Sequence, residues 1–377
     1  AGGLPEPPTF GFQGRAHDLL TLERKLATYA IVVLHGYGGM GKTALATEAG
    51  RWFHRIGRFI GGATFVSFEN GGSLQQLCSW MGQAISDDPN FAIGEGDPVQ
   101  RIAQLLREKP ALIILDNFES VLGDEPLMPP DELDAILDAV WLWGQVGMKT
   151  AASKTNTWGS RILITSRVTD FSAKEGTTNV SDPRYQPSKV CAHMRLDGLD
   201  KSDALELATH ILDDLEIDRA KIDRRNLEAL MDHLGGQPLS LYLVLPHLAG
   251  NTPARLIRDF EQLLPGFTSG AAKGRNESLT VSLDFSLRRL GPETHAALPT
   301  LGIFQGGAFE DYLLEITQID PALWQTARRE LQAAALLTVQ SVTDVQSQFL
   351  RFHPTLLPTL GRWLTAERRA ELETRYW

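Results

Sequence analysis

The sequence predicts an α/β chain, with a parallel sheet flanked by helices up to about residue 195 and a largely helical remainder. Three observations carry this expectation. Short continuous apolar runs alternate with helical stretches through the first half of the chain. A glycine-rich segment, Gly36-Tyr-Gly-Gly-Met-Gly-Lys-Thr43, sits between the apolar run Ile31-Val-Val-Leu34 and the helix-prone Ala44-Leu-Ala-Thr-Glu-Ala49. After Cys191 the apolar residues recur at spacings of three and four.

Residues 1–9 read as a Gly/Pro-rich linker. The expected strands are Ile31–Leu34, Ala63–Phe68, Ala111–Leu115 and Arg161–Thr165, each short, continuous and largely apolar, as strands buried on both faces are. Leu74–Ile85 and Val99–Arg107 are expected helices between them. Residues 121–158 break this rhythm with Pro129, Pro130 and the polar run Ala151–Thr157, and read as a helix-containing insertion with a mobile loop. Ser202–Leu215 places Leu205, Ala208, Ile211, Leu212 and Leu215 on one helical face, and Asn226–Leu234 is a helix ended by Gly235-Gly236. A Gly/Ser/Ala/Lys-rich stretch over 264–276 reads as a linker, and a hairpin is expected around Leu336–Phe352.

Bulk properties bound the function. At 377 residues the chain calls for about two to four domains. A net charge of −10 argues against broad electrostatic binding to nucleic acid or an anionic membrane. Cys78 and Cys191 are the only cysteines, so a disulfide framework is excluded and a cytoplasmic location expected. No apolar run approaches the ~20 residues that a membrane span needs. Ala1-Gly-Gly without Met reads as a cloning remnant or an internal boundary, and the helical pattern halted at Trp377 as a cut within a longer protein.

The segment Gly36–Thr43 fits the G-x-x-x-x-G-K-[ST] pattern in full, with the strand before it and the helix after it that the pattern requires. Gly36, Gly38, Gly39 and Gly41 let the backbone, Met40 included, wrap closely around an anion. The N–H groups at the helix start, through Ala44, point at it. Lys42 supplies a point charge for terminal phosphates, and the Thr43 hydroxyl is a Mg²⁺ ligand. A nucleoside di- or triphosphate is the expected ligand. Ala111-Leu-Ile-Ile-Leu-Asp116 is an apolar strand that delivers one carboxylate, Asp116, as a second Mg²⁺ ligand of the Walker B kind. A structural Asx turn at Asp116-Asn117 is the competing reading. The strand in Gly159–Arg167 ends in Thr165-Ser-Arg167, and ligands in open parallel sheets sit beyond such strand ends. Arg167 is therefore expected to reach a γ-phosphate, with an ordinary exposed arginine as its alternative. Lys42, Asp116 and Arg167 are the candidate catalytic residues. Leu234-Gly-Gly-Gln-Pro-Leu-Ser240 superficially matches the signature of cassette transporters, but that signature belongs before the Walker B strand.

In order and spacing these motifs resemble the NB-ARC branch of the STAND signal-transduction ATPases, an AAA-like group that includes innate-immunity receptors of plants and apoptosome-forming proteins. The resemblance runs from Phe10 to about Leu364. It implies a P-loop NTPase domain over 10–195, a small helical domain over 196–265, a linker over 266–276, a winged-helix domain over 277–365, and the start of a truncated C-terminal helical region over 366–377. Phe12-Gln13-Gly14-Arg15 is similar to the family's Gly-Arg motif, whose backbone edges adenine. Gly236-Gln-Pro-Leu239 resembles its G-L-P-L motif, with Pro238 on the base, and Arg351-Phe-His-Pro354 resembles its winged-helix motif, with His353 on the ADP β-phosphate.

The cofactors implied are ADP or ATP with Mg²⁺. Asn117 stands where the family often has a second acid, with Glu119 the nearest other one, so hydrolysis is expected to be slow or absent. The resemblance also implies a switch: closed with ADP, open and self-associating with ATP, with an effector domain before the chain and a repeat sensor after it. Two other classes compete. One is an ATP-dependent transcription regulator, against which stand nine acidic and six basic residues in 277–362, with Arg328-Arg329 the only paired bases in the expected third helix. The other is a metabolic P-loop kinase, for which the sequence offers no acceptor pocket with a base.

Overall fold

A computed structural model describes residues 3–8, 10–86, 88, 91, 95–122, 127–150, 158–175, 178–263, 283, 286–287, 290–304, 307–334, 336–340, 347–352, 356, 360–361 and 363–376. The chain divides into two compact units, Ala1–Gly198 and Leu199–Trp377.

The first unit is built on a five-stranded parallel sheet. Helix α1 (Ala16–Thr28) leads to β1 (Ile31–His35), α2 (Lys42–Arg55) and β2 (Ala63–Ser67). Then come α3 (Leu74–Ser86), α4 (Pro98–Glu108), β3 (Leu112–Asp116), α5 (Pro130–Thr150) and β4 (Arg161–Ser166). A small antiparallel hairpin, β5 (Ser172–Glu175) and β6 (Thr178–Ser181), precedes β7 (Cys191–Arg195). The sheet order is β2-β3-β4-β1-β7, with every pairing parallel. The four expected strands all form, each ending within one residue of its expected bounds.

Because side chains alternate across a strand, the sheet feeds two cores. Ile31, Val33, Ile113, Leu115, Ile162 and Ile164 pack with α3, α4 and α5 on one face. Val32, Leu34, Leu112, Ile114 and Leu163 pack with Leu22 and Leu26 of α1 and Leu45, Ala49 and Phe53 of α2 on the other. This double burial explains why the strands read as unbroken apolar runs.

Three features differ from expectation. The 121–158 stretch is no excursion from the core, since α5 is the crossover that parallel neighbours β3 and β4 require. Its Trp143 is fully buried and donates to Val99 O at 3.1 Å. The polar run 151–157 lies outside the described residues. The strand β7 and the helix α1 both form where no such element was expected.

The second unit contains α6 (Lys201–Asp214), α7 (Arg224–His233), α8 (Pro238–Val244), α9 (Pro253–Leu263) and α10 (Pro292–Leu301). It continues with β8 (Gly307–Phe309), α11 (Glu310–Thr317), α12 (Pro321–Ala333), β9 (Leu337–Gln340), β10 (Phe349–Phe352) and α13 (Ala366–Tyr376). The expected hairpin is β9–β10, and β8 joins it in an antiparallel sheet of order β8-β10-β9. Helix α7 closes at Gly235-Gly236, where the Gly235 N–H donates to Asp232 O at 3.1 Å.

Candidate nucleotide site

The site is assembled at the carboxyl ends of β1, β3 and β4. The strand that ends in Asp116 is not the neighbour of the strand that enters the glycine loop; β4 lies between them. The tip of β4, Thr165-Ser-Arg167, is therefore placed between the loop and the β3 carboxylate.

The loop starts tight against β7. A Cβ at Gly36 would lie 2.4 Å from Leu196 O, so only glycine fits there. The Gly36 N–H donates to Ser166 O at 3.3 Å, tying the loop entrance to β4. At its exit Gly41, with φ of 86°, is the residue before α2 and offers no side-chain cap. The first amides of α2 thus receive no side-chain acceptor from that residue, the condition in which a helix start takes an anion. Lys42, the first residue of α2, turns its ammonium onto the loop's own carbonyls, Gly36 O at 2.8 Å and Tyr37 O at 3.1 Å. Burial lowers its pKa, an effect that the Glu119 charge opposes and the Arg167 charge reinforces.

Arg15 braces the loop from behind. It is buried, and its guanidinium donates to Met40 O at 2.8 Å and to Asp18 Oδ2 at 2.8 Å. Its backbone sits in the left-handed region at φ 63°, directly before α1. Gly14 precedes it, and Phe12 packs onto the core beneath the loop, with Gln13 half-buried. Arg15 thus reads as a structural clamp on Met40.

Thr43 and Asp116, the two residues expected to ligate Mg²⁺, lie side by side. The Thr43 hydroxyl lies 2.9 and 3.0 Å from the two Asp116 carboxylate oxygens, and the Thr165 hydroxyl donates to Asp116 Oδ1 at 2.5 Å. Asp116 is 1% exposed, and burial pushes its carboxyl up to about 6 against the pull of those two hydroxyls. Among the described residues no cluster of three or more His, Cys, Asp or Glu could hold a metal ion. One carboxylate and one hydroxyl instead fit Mg²⁺, which completes its octahedron with phosphate and water oxygens.

Asn117 follows at φ 55°, a left-handed conformation that Asn tolerates better than most side chains. Its N–H donates to the Thr165 hydroxyl at 3.1 Å. The chain then enters the turn Phe118–Val121, where Glu119 pairs with Arg167, Nε to Oε1 at 2.9 Å. Glu119 Oε2 is buried and accepts no hydrogen bond from any described residue. His35, the last residue of β1, meets His193 edge-on at 5.8 Å, and burial followed by the His193 charge lowers its pKa.

The structure therefore brings together Gly36, Gly38, Gly39, Met40, Gly41, Lys42, Thr43, Ala44, Arg15, Asp116 and Arg167. Pro238 is the first residue of α8 in the second unit, half-buried beside buried Gln237. His353 lies outside the described residues. Sequence reading did not foresee the Thr165 bond to Asp116 or the Glu119–Arg167 pair, both of which depend on the sheet order. A hydroxyl residue at the end of a strand between the two motif strands is the available signal for the first.

Residues 25–147 match the model of the AAA domain family. The fold, the loop and the Thr43–Asp116 pair together define the first unit as a P-loop NTPase domain. No curated protein matches the chain. Among solved structures, the chain is similar to a signal-transduction ATPase with numerous domains, a STAND protein with a tetratricopeptide-repeat sensor from Pyrococcus horikoshii. The TM-score is 0.61 at 14% identity, over 100% of this chain and 46% of that one, so this chain spans about half the length of that relative. It also aligns with a Walker-type ATPase of Pyrococcus abyssi at a TM-score of 0.44 and 15% identity, over 94% of this chain and 98% of that one.

Proposed function

We propose that the protein is a nucleotide-operated switch of the STAND kind, binding ADP or ATP with Mg²⁺ in its first unit. The observation that carries this reading is the glycine loop Gly36–Thr43 with Thr43 beside Asp116, joined to a non-acidic Asn117 directly after Asp116. Lys42, Thr43, Asp116 and Arg167 would hold phosphates and metal. Bound Mg²⁺ would neutralise phosphate charge. Lys42 is partly desolvated and strengthens any phosphate contact, Thr165 fixes the Asp116 carboxylate in place, and Arg15 fixes Met40. Hydrolysis, where it occurs, is slow and resets the switch.

The second unit is the element that nucleotide would control. Its β9–β10 hairpin after several helices supports a winged-helix reading of 277–365. Arg328, one of the two paired bases, is already committed to Glu310 at 2.7 Å and to Gln348 at 2.5 Å, which favours an interaction module over a DNA reader. In this reading Pro238 contacts the base and His353 the β-phosphate of ADP, the ATP form self-associates, and an effector and a repeat sensor flank the chain in the whole protein.

The test is direct. Nucleotide released from the purified chain should be ADP, and Lys42→Ala should weaken ADP binding by about 100-fold or more. His353→Ala should raise the ADP off-rate and shift the chain toward oligomers in light scattering. An unchanged off-rate with an unchanged mass would sink the switch, and rapid steady ATP turnover by the wild type would favour an enzyme.

A further inference from the structure

We propose that Glu119 sets the preference of this site between nucleoside di- and triphosphates by competing with the terminal phosphate for Arg167. The inference rests on the nucleotide reading above and assigns a role that neither the phosphate loop nor Asp116 supplies.

The two partners of the pair are unequal. Arg167 has 65% of its side chain exposed, and Glu119 only 16%. Arg167 extends over the loop, because a Cβ at Gly38 would lie 3.5 Å from its guanidinium carbon. Both charges reach Lys42, Glu119 raising its pKa and Arg167 lowering it. The pair thus sits within electrostatic range of the position where terminal phosphates would bind.

Glu119 has little else to hold it. One of its oxygens is taken by Arg167, and the other is buried without a hydrogen bond from any described residue. A largely buried carboxylate that loses its ion-paired cation is penalised strongly. Turning Arg167 onto a third phosphate gains a charge-assisted forked contact but strips Glu119 of that cation. A diphosphate too short to draw Arg167 away leaves the pair intact. Glu119 therefore offsets part of the triphosphate's gain and biases the site toward the diphosphate. A ligand shifts a two-state protein only through its differential affinity, and this pair supplies such a difference.

A pair that merely fastened the Phe118–Val121 turn to β4 would affect both nucleotides alike, so the affinity ratio separates the two roles. The experiment titrates the whole chain at fixed Mg²⁺ with ADP and with the non-hydrolysable triphosphate AMP-PNP. Glu119→Gln, isosteric and uncharged, should raise the AMP-PNP-to-ADP affinity ratio by about 10-fold while ADP affinity stays unchanged. Arg167→Ala should weaken AMP-PNP more than ADP, and adding Glu119→Gln to it should leave the affinity ratio where it is, since the two act as one unit. An unchanged ratio in Glu119→Gln overturns the inference. So does an equal loss of both nucleotides, or an undiminished Glu119→Gln effect in the Arg167→Ala background. A wild type that binds neither nucleotide overturns the function itself and takes this inference with it.

Discussion

The two units of this chain treat charge in opposite ways. Among the described residues every buried charged side chain lies in the first unit: Arg15, Lys42, Asp116 and Arg161. The buried polar side chains of the second unit are neutral, Gln237, Ser240, Ser286, Thr294 and Thr317. There, acidic residues work at exposed helix starts instead, as Asp200, Asp223 and Asp320 do. Burying a charge is costly unless its partners are fixed, so the distribution locates where the fold tolerates expense for chemistry. It also separates two kinds of buried charge. Arg161 is held by four carbonyls, Leu26 O at 2.6 Å, Ser160 O at 3.0 Å, Gly159 O at 3.1 Å and Gly147 O at 3.3 Å. It stands at the start of β4, the end away from the glycine loop. Lys42 and Asp116 are held by fewer and more replaceable partners, loop carbonyls and hydroxyls.

The largest expected effect tests the structural kind. Arg161→Met should destabilise the first unit by roughly 3–5 kcal/mol, because several buried carbonyls lose their donor while only the guanidinium's desolvation is recovered. Chemical denaturation reads this. A loss below about 1 kcal/mol would mean that those carbonyls find other donors, and the contrast with Lys42 would weaken.

The functional kind should show the opposite sign. Burial raises the Asp116 carboxyl from its ordinary 3.8 to about 6. Between those values the folded chain holds a proton that the unfolded chain has lost, so stability falls as pH rises through this window. At pH 7.5 the full penalty is about 3 kcal/mol, as an upper figure. Asp116→Asn should therefore stabilise the nucleotide-free chain by up to about that amount, and the gain should fade as pH falls from 6 toward 4. The same variant should lose any stabilisation by Mg²⁺ with nucleotide. A destabilised Asp116→Asn at pH 7.5 would place Asp116 with Arg161 as scaffold.

How much of this was readable in the residues follows the same divide. The buried strands announced themselves because both faces are covered, and the loop announced itself because an anion cradle needs glycines and a lysine at fixed offsets. Strand β7 was missed: Cys191-Ala-His-Met-Arg195 runs along the sheet edge, and its His193 and Arg195 break the apolar run. Helix α1 was legible in principle, since Leu19, Leu22 and Leu26 recur at helical spacing, but its charged residues masked the stripe. The misreading of 121–158 came from its prolines. Pro130 is the first residue of α5, where a missing N–H costs nothing, so it marked a helix start inside the core. The pairs Thr165–Asp116 and Arg167–Glu119 join residues about 50 apart and depend on β4 lying between β3 and β1, an order that local sequence does not encode.

The smallest effect belongs to the second unit and sharpens the comparison from its other side. The Asp320 carboxylate accepts from the N–H groups of Ala322 and Leu323, at 2.9 and 3.1 Å, and Pro321 follows at the first helical position. Here the charge stays in water and satisfies donors that the helix itself leaves open. Asp320→Ala should cost only about 1 kcal/mol, the usual worth of such a cap. Asp320→Asn should recover most of it, because the amide oxygen accepts the same bonds without a charge. Thermal unfolding of the three proteins side by side reads both numbers. If Asp320→Asn were as damaging as Asp320→Ala, the negative charge would be acting beyond the cap. The second unit would then depend on fixed charge, as the first does.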